Sequence, residues 1–281
     1  MTLTLTAIHR YPVKSCRGEA LPTALVEPWG LAGDRRWMVV DAAGEPVTAR
    51  EHPRLVLVRP ELREGGVRLT RPDAPPLDVR TPDGSALTEV AVWKGPFAAA
   101  PADDSAHQWF SELIGEPVRL VYLDDPTRRA PNPAFALPTD RVSFADAYPL
   151  LVTTEDSLAA LNDLIAAGPG RAEGPVPMTR FRPSVVVAGS QPWAEDSWRR
   201  LRIGTAVFRC VKSCDRCVLT TVDPETATRG REPLATLARH RKWDGKTWFG
   251  TNLVPDSPGE RITVGDEVEI LDSVESDGPH R

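Results

Sequence analysis

Apolar and polar residues alternate along most of this chain, and few stretches keep a helical period. Leu3, Leu5 and Ala7 alternate with threonines before a turn at Tyr11-Pro12, which predicts an N-terminal strand. Trp37-Met38-Val39-Val40 and Val47-Thr48-Ala49 flank Asp41-Ala42-Ala43-Gly44 and predict one hairpin. Leu55 to Val58 and Val67 to Thr70 flank Gly65-Gly66 and predict a second. Tyr148 to Val152 reads as a buried strand, Arg180 to Gly189 as a strand entered by a basic turn, and Ile262 to Leu271 as the last strand. Helical spacing occurs at three places. Ala106, Trp109, Phe110, Leu113 and Ile114 share one face ahead of Gly115 and Pro117. Leu158, Leu161, Leu164 and Ile165 follow Thr153 and Asp156, which have capping-box spacing, and precede Gly168. A short helix starts at Pro233 with Leu234 and Leu237 inward.

This pattern is mainly β with a few helices, an α+β chain. The 28 prolines and 20 glycines agree with many short elements joined by turns. The proline-rich segment 124–140 is the best candidate boundary. The expected organisation is an irregular β-barrel N-terminal domain over 1–125, a second domain over 126–272, and a polar, disordered tail over 273–281.

Charge and cysteine usage narrow the class. A net charge of −5 and a pI near 5.6 argue against nucleic acid as a partner. No apolar run is long enough to span a bilayer, and the alternating N-terminus lacks the character of a signal peptide. Four cysteines in 281 residues do not make a disulfide scaffold. The expectation is a cytoplasmic protein with no membrane association.

Three of the four cysteines, Cys210, Cys214 and Cys217, fall within eight residues, between two apolar runs. The runs predict strand, cysteine-bearing turn, strand. A structural zinc knot needs four ligands, and the five histidines are unpaired. A redox pair should open a helix, whereas β-branched residues follow Cys217. A third reading is one exposed thiolate that ligates a metal cofactor carrying its own sulfur donors, with Arg216 favouring the thiolate. Spacing does not choose among these.

More distant residues carry a resemblance. Tyr11-Pro12-Val13-Lys14-Ser15-Cys16-Arg17-Gly18, Gly33-Asp34-Arg35-Arg36-Trp37, Phe181-Arg182-Pro183, Cys214-Asp215-Arg216-Cys217 and Thr220-Thr221-Val222-Asp223-Pro224 occur in that order. Together they resemble the MOSC-domain family with an N-terminal MOSC β-barrel, which includes the mitochondrial amidoxime-reducing component and its bacterial relatives. The resemblance spans Tyr11 to about Leu271. It implies two β-barrel domains and a molybdenum-cofactor-dependent oxidoreductase that reduces N-hydroxylated compounds (amidoximes, hydroxylamines, N-hydroxylated bases) to amine-level products and water. It implies molybdenum-molybdopterin as cofactor, held by the pterin dithiolene and by Cys217. It also implies cofactor contacts at Lys14, Ser15, Arg35, Asp146, Ala147, Tyr148, Arg182, Asp215, Arg216 and Asn252, with Cys214 and Cys210 as neighbours. Where the family commonly has asparagine the chain has Ser184, retained as a candidate contact. Ser213 stands where bacterial relatives are expected to have proline. Lacking spare cysteines for an iron–sulfur domain, the chain would take electrons from a separate flavin, haem or iron–sulfur protein. Two other classes stand beside this reading: a sulfur or cofactor carrier with a persulfide on Cys217, and a non-catalytic zinc-stabilised module. The tryptophans, Trp37, Trp93 and Trp109 among them, read as core, and Trp243 and Trp248 as candidates for a funnel or partner contact.

Overall fold

The computed structural model describes residues 2–93, 95–275 and 278–280. Its centre is a closed barrel of seven strands. Around it, Leu150–Thr154 pairs with Val185–Ala188, then Leu3–Arg10, Glu267–Ser273, Trp198–Ile203, Ala206–Asp215 and Lys246–Pro255, which returns to Leu150–Thr154. Closure leaves no open edge among these strands. The N-terminal strand is therefore a stave of the barrel built by the C-terminal half. It pairs Leu5 with Val187 and Ala7 with Val186, and the bulge at Thr6 switches the inward face so that Leu5 and Ile8 both point to the core. That interior is filled by Leu5, Ile8, Val152, Val187, Leu201 and Phe208, with Cys210 among them.

The remaining sheets come mostly from residues 37–122. Trp37–Val40, Arg119–Tyr122, Gly95–Pro101 and Thr88–Val92 form one, and Arg59–Arg63, Gly66–Arg71 and Ala74–Arg80 another. Helix α1 (Asp104–Ile114) is capped by the Asp103 side chain and stopped by Gly115 at φ 89°, and it packs Ala106 and Phe110 against Trp37, Leu55 and Val67. Helix α2 (Glu155–Ala167) and helix α3 (Leu234–His240) pack Leu161, Ile165 and Leu237 against Phe181 and Phe249. Among the described residues the architecture is mainly β with three α-helices, as the alternation predicts.

Several elements differ from expectation. Leu55 to Leu57 lie in a 3₁₀ turn, Pro53–Leu57, and the hairpin begins only at Arg59; Leu55 and Val56 both bury, which suits a turn pressed on the core better than a half-exposed strand. The second arm of the first hairpin is a single bridge between Val40 and Pro46. The N-cap of α2 is Thr154, whose hydroxyl accepts from Ser157 N at 3.1 Å, one residue after the expected Thr153. The last expected strand is two, Arg261–Thr263 and Glu267–Ser273, broken by Gly265 at φ 99°. The tail is not detached. Val274 donates to Ser197 O, and His280 exchanges two hydrogen bonds with Ser213 while its ring meets Phe135 edge-on at 5.8 Å. Ser276, Asp277 and Arg281 lie outside the described residues.

One buried group gives a pH prediction. Glu195 accepts from Ser157 Oγ at 2.8 Å beside Thr154, while its second carboxyl oxygen has no partner. Burial, with Asp196 next to it, pushes its carboxyl up to about 7, with Arg241 acting in the other direction. The folded chain then keeps a proton that the unfolded chain releases near 4.5, so stability is lost as pH rises through that window. Glu195→Gln removes the titration. Its stability relative to wild type should rise between pH 5 and pH 8 by up to about 3 kcal/mol in urea unfolding. A pH-independent difference would refute the assignment.

Candidate functional site

Hydrogen bonds between short segments bring the predicted site residues together. The Tyr11–Lys14 turn runs beside Arg35–Trp37: Arg35 N donates to Tyr11 O at 2.8 Å, Trp37 N to Pro12 O at 3.1 Å and Lys14 N to Trp37 O at 2.8 Å. Phe144 N donates to Arg35 O at 2.9 Å and His9 N to Ser184 O at 2.9 Å, which add the 144–148 loop and the Phe-Arg-Pro turn. From the opposite side, Leu151 pairs with Asn252 and Lys212 with Asn252, placing the cysteine strand next to them.

The result is a cleft of about 300 Å³ lined by all twelve predicted site residues. Seven basic side chains line it (Lys14, Arg35, Arg50, Arg180, Arg182, Lys212 and Arg216) against two carboxylates, Asp146 and Asp215. In a chain of net charge −5 this is a strong local reversal, and it favours an anionic occupant. Among the described residues, four of the seven non-glycine positions with positive φ line the cleft: Ser15 at 67°, Arg35 at 47°, Trp93 at 61° and Arg182 at 55°. Each costs on the order of 1 kcal/mol in local backbone energy, a kind of strain that concentrates where side chains must be aimed.

The cations are fixed individually. Lys14, 7% exposed, donates to Phe144 O at 2.8 Å and pairs with Asp146. Burial pulls its pKa down to about 8 against the pull of Asp146. For Asp146 burial acts upward, yet Lys14, Arg50 and Arg35 together hold the carboxyl well below the usual range. The guanidinium carbons of Arg35 and Arg182 lie 4.5 and 4.3 Å from the Tyr11 ring centre, so the tyrosine aligns both. Tyr11 is buried, its hydroxyl donates to Pro183 O at 3.1 Å, and burial pushes its pKa up to about 12. Arg35 also pairs with Asp34, whereas Arg182 donates to Cys16 O at 2.7 Å and has no carboxylate partner among the described residues. Arg180 is committed to Thr221 O and Asp223.

Ser184 is fully buried and its hydroxyl accepts from Leu151 N at 3.2 Å, so it ties two barrel strands together at the cleft wall. Asn252 donates to Lys212 O at 3.0 Å. Tyr148 is buried, with its hydroxyl 3.5 Å from Asn132 O, and Asp215 pairs with Lys246 at 3.2 Å.

The cysteines separate by environment, and all four are free. Cys217 is exposed. The segment after it is a 3₁₀ turn, Val218–Thr221, not the expected strand. Thr220 and Thr221 hydroxyls bond back to Cys217 O and Val218 O, a local alternative to ladder pairing that fixes the turn. Arg216 does not face Cys217. Its guanidinium reaches Cys214 Sγ at 2.8 Å and Phe181 O at 2.6 Å. Burial pushes the Cys214 thiol up while Arg216 pulls it down. The cation beside Cys217 is Arg50, with Nε 3.4 Å from Sγ and a second nitrogen 2.6 Å from Asp146. Cys16 and Cys210 are core residues with thiols pushed up to about 12 by burial. Among the described residues no three His, Cys, Asp or Glu side chains group as a metal site.

Comparison with known proteins decides the family. The profile of the MOSC N-terminal beta barrel domain matches residues 2–117, and that of the MOSC domain matches residues 139–269. The chain is 37% identical over 289 residues to mitochondrial amidoxime-reducing component 1 of Homo sapiens, covering 95% of this chain and 83% of the human protein. The chain belongs to the MOSC-domain family. Its identity to the same component of Mus musculus is 34%, over 95% of this chain and 82% of the mouse protein. Molybdenum cofactor sulfurase of Oryza sativa is 33% identical over 92% of this chain and 34% of the rice protein. Within this MOSC chain no described helix is long and apolar enough to cross a membrane.

Sequence reasoning missed Arg50, Trp93, Asn132 and Lys212. Arg50 follows the Val47–Ala49 run and belongs to no motif, so only the fold brings it to Cys217. The tryptophan reading holds for Trp37 and Trp109, which are buried in the core, and fails for Trp93 and Trp248. Trp93 is 63% exposed at the cleft, whereas Trp248 is buried and its indole donates to Trp243 O.

Proposed function

We propose that this protein is a molybdenum-cofactor-dependent reductase of N-hydroxylated compounds, forming the amine-level product and water. The observation that carries the reading is the pairing of one exposed thiol, Cys217, with a cleft of reversed charge in an acidic chain. The amidoxime-reducing relatives support the substrate class.

The donor set suits a pyranopterin phosphate. Arg182 and Arg216 line the cleft without carboxylate partners among the described residues, so their charge is available to an anion. Lys14, Ser15, Arg35, Arg182 and Ser184 would hold the group from one side. Asp215, Arg216 and Asn252 would do so from the other, with Asp146, Ala147 and Tyr148 between them, and Cys217 would supply the protein's sulfur ligand to molybdenum. When bound, the cofactor would supply two-electron, oxygen-accepting redox chemistry. The chain's own part is positional. Arg50 holds a fixed positive charge at the Cys217 sulfur, and Asp146 locks both Arg50 and Lys14. Electrons would come from a separate flavin, haem or iron–sulfur protein, and a cytoplasmic location is part of the proposal.

The test is elemental analysis of protein from a cofactor-replete host, followed by reduction of benzamidoxime with reduced methyl viologen. About one molybdenum per chain together with turnover is the expected result. No molybdenum, with a persulfide on Cys217, would replace this reading by the sulfur-carrier one, which the exposed thiol and the similarity to the rice sulfurase favour next.

A further inference from the structure

Among the exposed large apolar side chains of the described residues, two belong to the neighbourhood of Cys217: Val218, its direct successor, and Trp93 in the cleft lining. Trp93 bears two costs at once. The residue is 63% exposed, and its backbone sits at φ 61°. The ring is nonetheless fixed. Its indole N–H donates to Asp146 O at 2.9 Å, and the Arg50 guanidinium carbon lies 5.4 Å from the ring centre. The same Arg50 reaches Cys217 Sγ at 3.4 Å, so one guanidinium sets the indole and the thiol relative to each other.

An exposed, strained and immobilised aromatic beside the exposed Cys217 thiol has the properties of a recognition surface. The ring is pre-positioned, so a planar ligand stacking on it pays little ordering entropy. We propose that Trp93, clamped by Asp146 and Arg50, is the specificity-determining face for the non-reacting part of the substrate, selecting molecules that carry an aromatic ring beside the N–OH-bearing group. The inference rests on the reductase reading. It adds a residue and a selectivity to that reading: an aryl group on the indole directs the N–OH end toward Cys217, while a small aliphatic substrate gains nothing from Trp93.

The experiment compares wild type, Trp93→Ala and Trp93→Phe. Activity is read with benzamidoxime and acetamidoxime, using reduced methyl viologen as donor so that docking of a protein partner does not enter. Equilibrium binding of benzamidoxime is measured by calorimetry without any donor. Trp93→Ala should weaken benzamidoxime binding about ten-fold and lower its kcat/KM by a similar factor, mainly through KM. Acetamidoxime should change less than about two-fold, and Trp93→Phe should recover most of the loss. Equal binding of benzamidoxime to wild type and Trp93→Ala, or an equal loss for both substrates, overturns the proposal. Wild-type protein that binds benzamidoxime through Trp93 but never reduces it overturns the reductase reading and leaves the platform standing.

Discussion

Cys217→Ser is expected to lose molybdenum and activity together, each by more than about 100-fold, since disturbing only the outer partners of a metal ligand costs about 10- to 100-fold. The fold should be kept, because Cys217 is exposed and the turn after it is held by the Thr220 and Thr221 hydroxyls, which the substitution leaves alone. Cys214→Ser separates the two cysteines of the pair. Its sulfur is bound to Arg216, and a serine oxygen accepts from the same guanidinium, so near-full molybdenum content is the expected result. Metal analysis of the two purified variants beside wild type reads this directly. Full molybdenum in Cys217→Ser, or loss confined to Cys214→Ser, would move the ligand to the other cysteine and refute the assignment.

What the sequence revealed of this site depended on where the cations sit in the chain. Lys14, Arg35 and Arg182 each lie at a turn bordered by apolar strand, so their positions could be read although they are far apart. The reason they converge could not. It lies in backbone bonds between Tyr11–Lys14 and Arg35–Trp37, and in the N-terminal strand closing a barrel otherwise made from residues beyond 149. Period-2 alternation cannot register the bulge at Thr6, which sets the face presented by that strand. The β-branched run after Cys217 has strand composition, and local hydroxyl-to-carbonyl bonds override it. Arg50 and Trp93 carry no motif. Their significance arises from contacts across 167 and 53 residues of sequence, and no local pattern encodes these.

Tyr11 shows how the motif residues and the site depend on each other, and its replacement should have the second large effect. The ring fills a buried place between two guanidinia, and both of those lie at positive φ. Tyr11→Ala leaves a cavity and should cost about 3–5 kcal/mol. Tyr11→Phe removes only the bond to Pro183 O and should cost about 1 kcal/mol with the cofactor retained. Tyr11→Leu is the informative variant. It keeps much of the apolar volume but gives Arg35 and Arg182 no aromatic face to lie on, so both can turn away from the cleft. Thermal unfolding should show a modest loss for Leu, while molybdenum and pterin content after dialysis should fall more than about ten-fold, the equivalent of 1.4 kcal/mol or more. Retention of the full cofactor by Tyr11→Leu would mean that the two guanidinia are aimed by their own backbones alone. The left-handed geometry of Arg35 and Arg182, rather than the tyrosine between them, would then hold the anion site in shape.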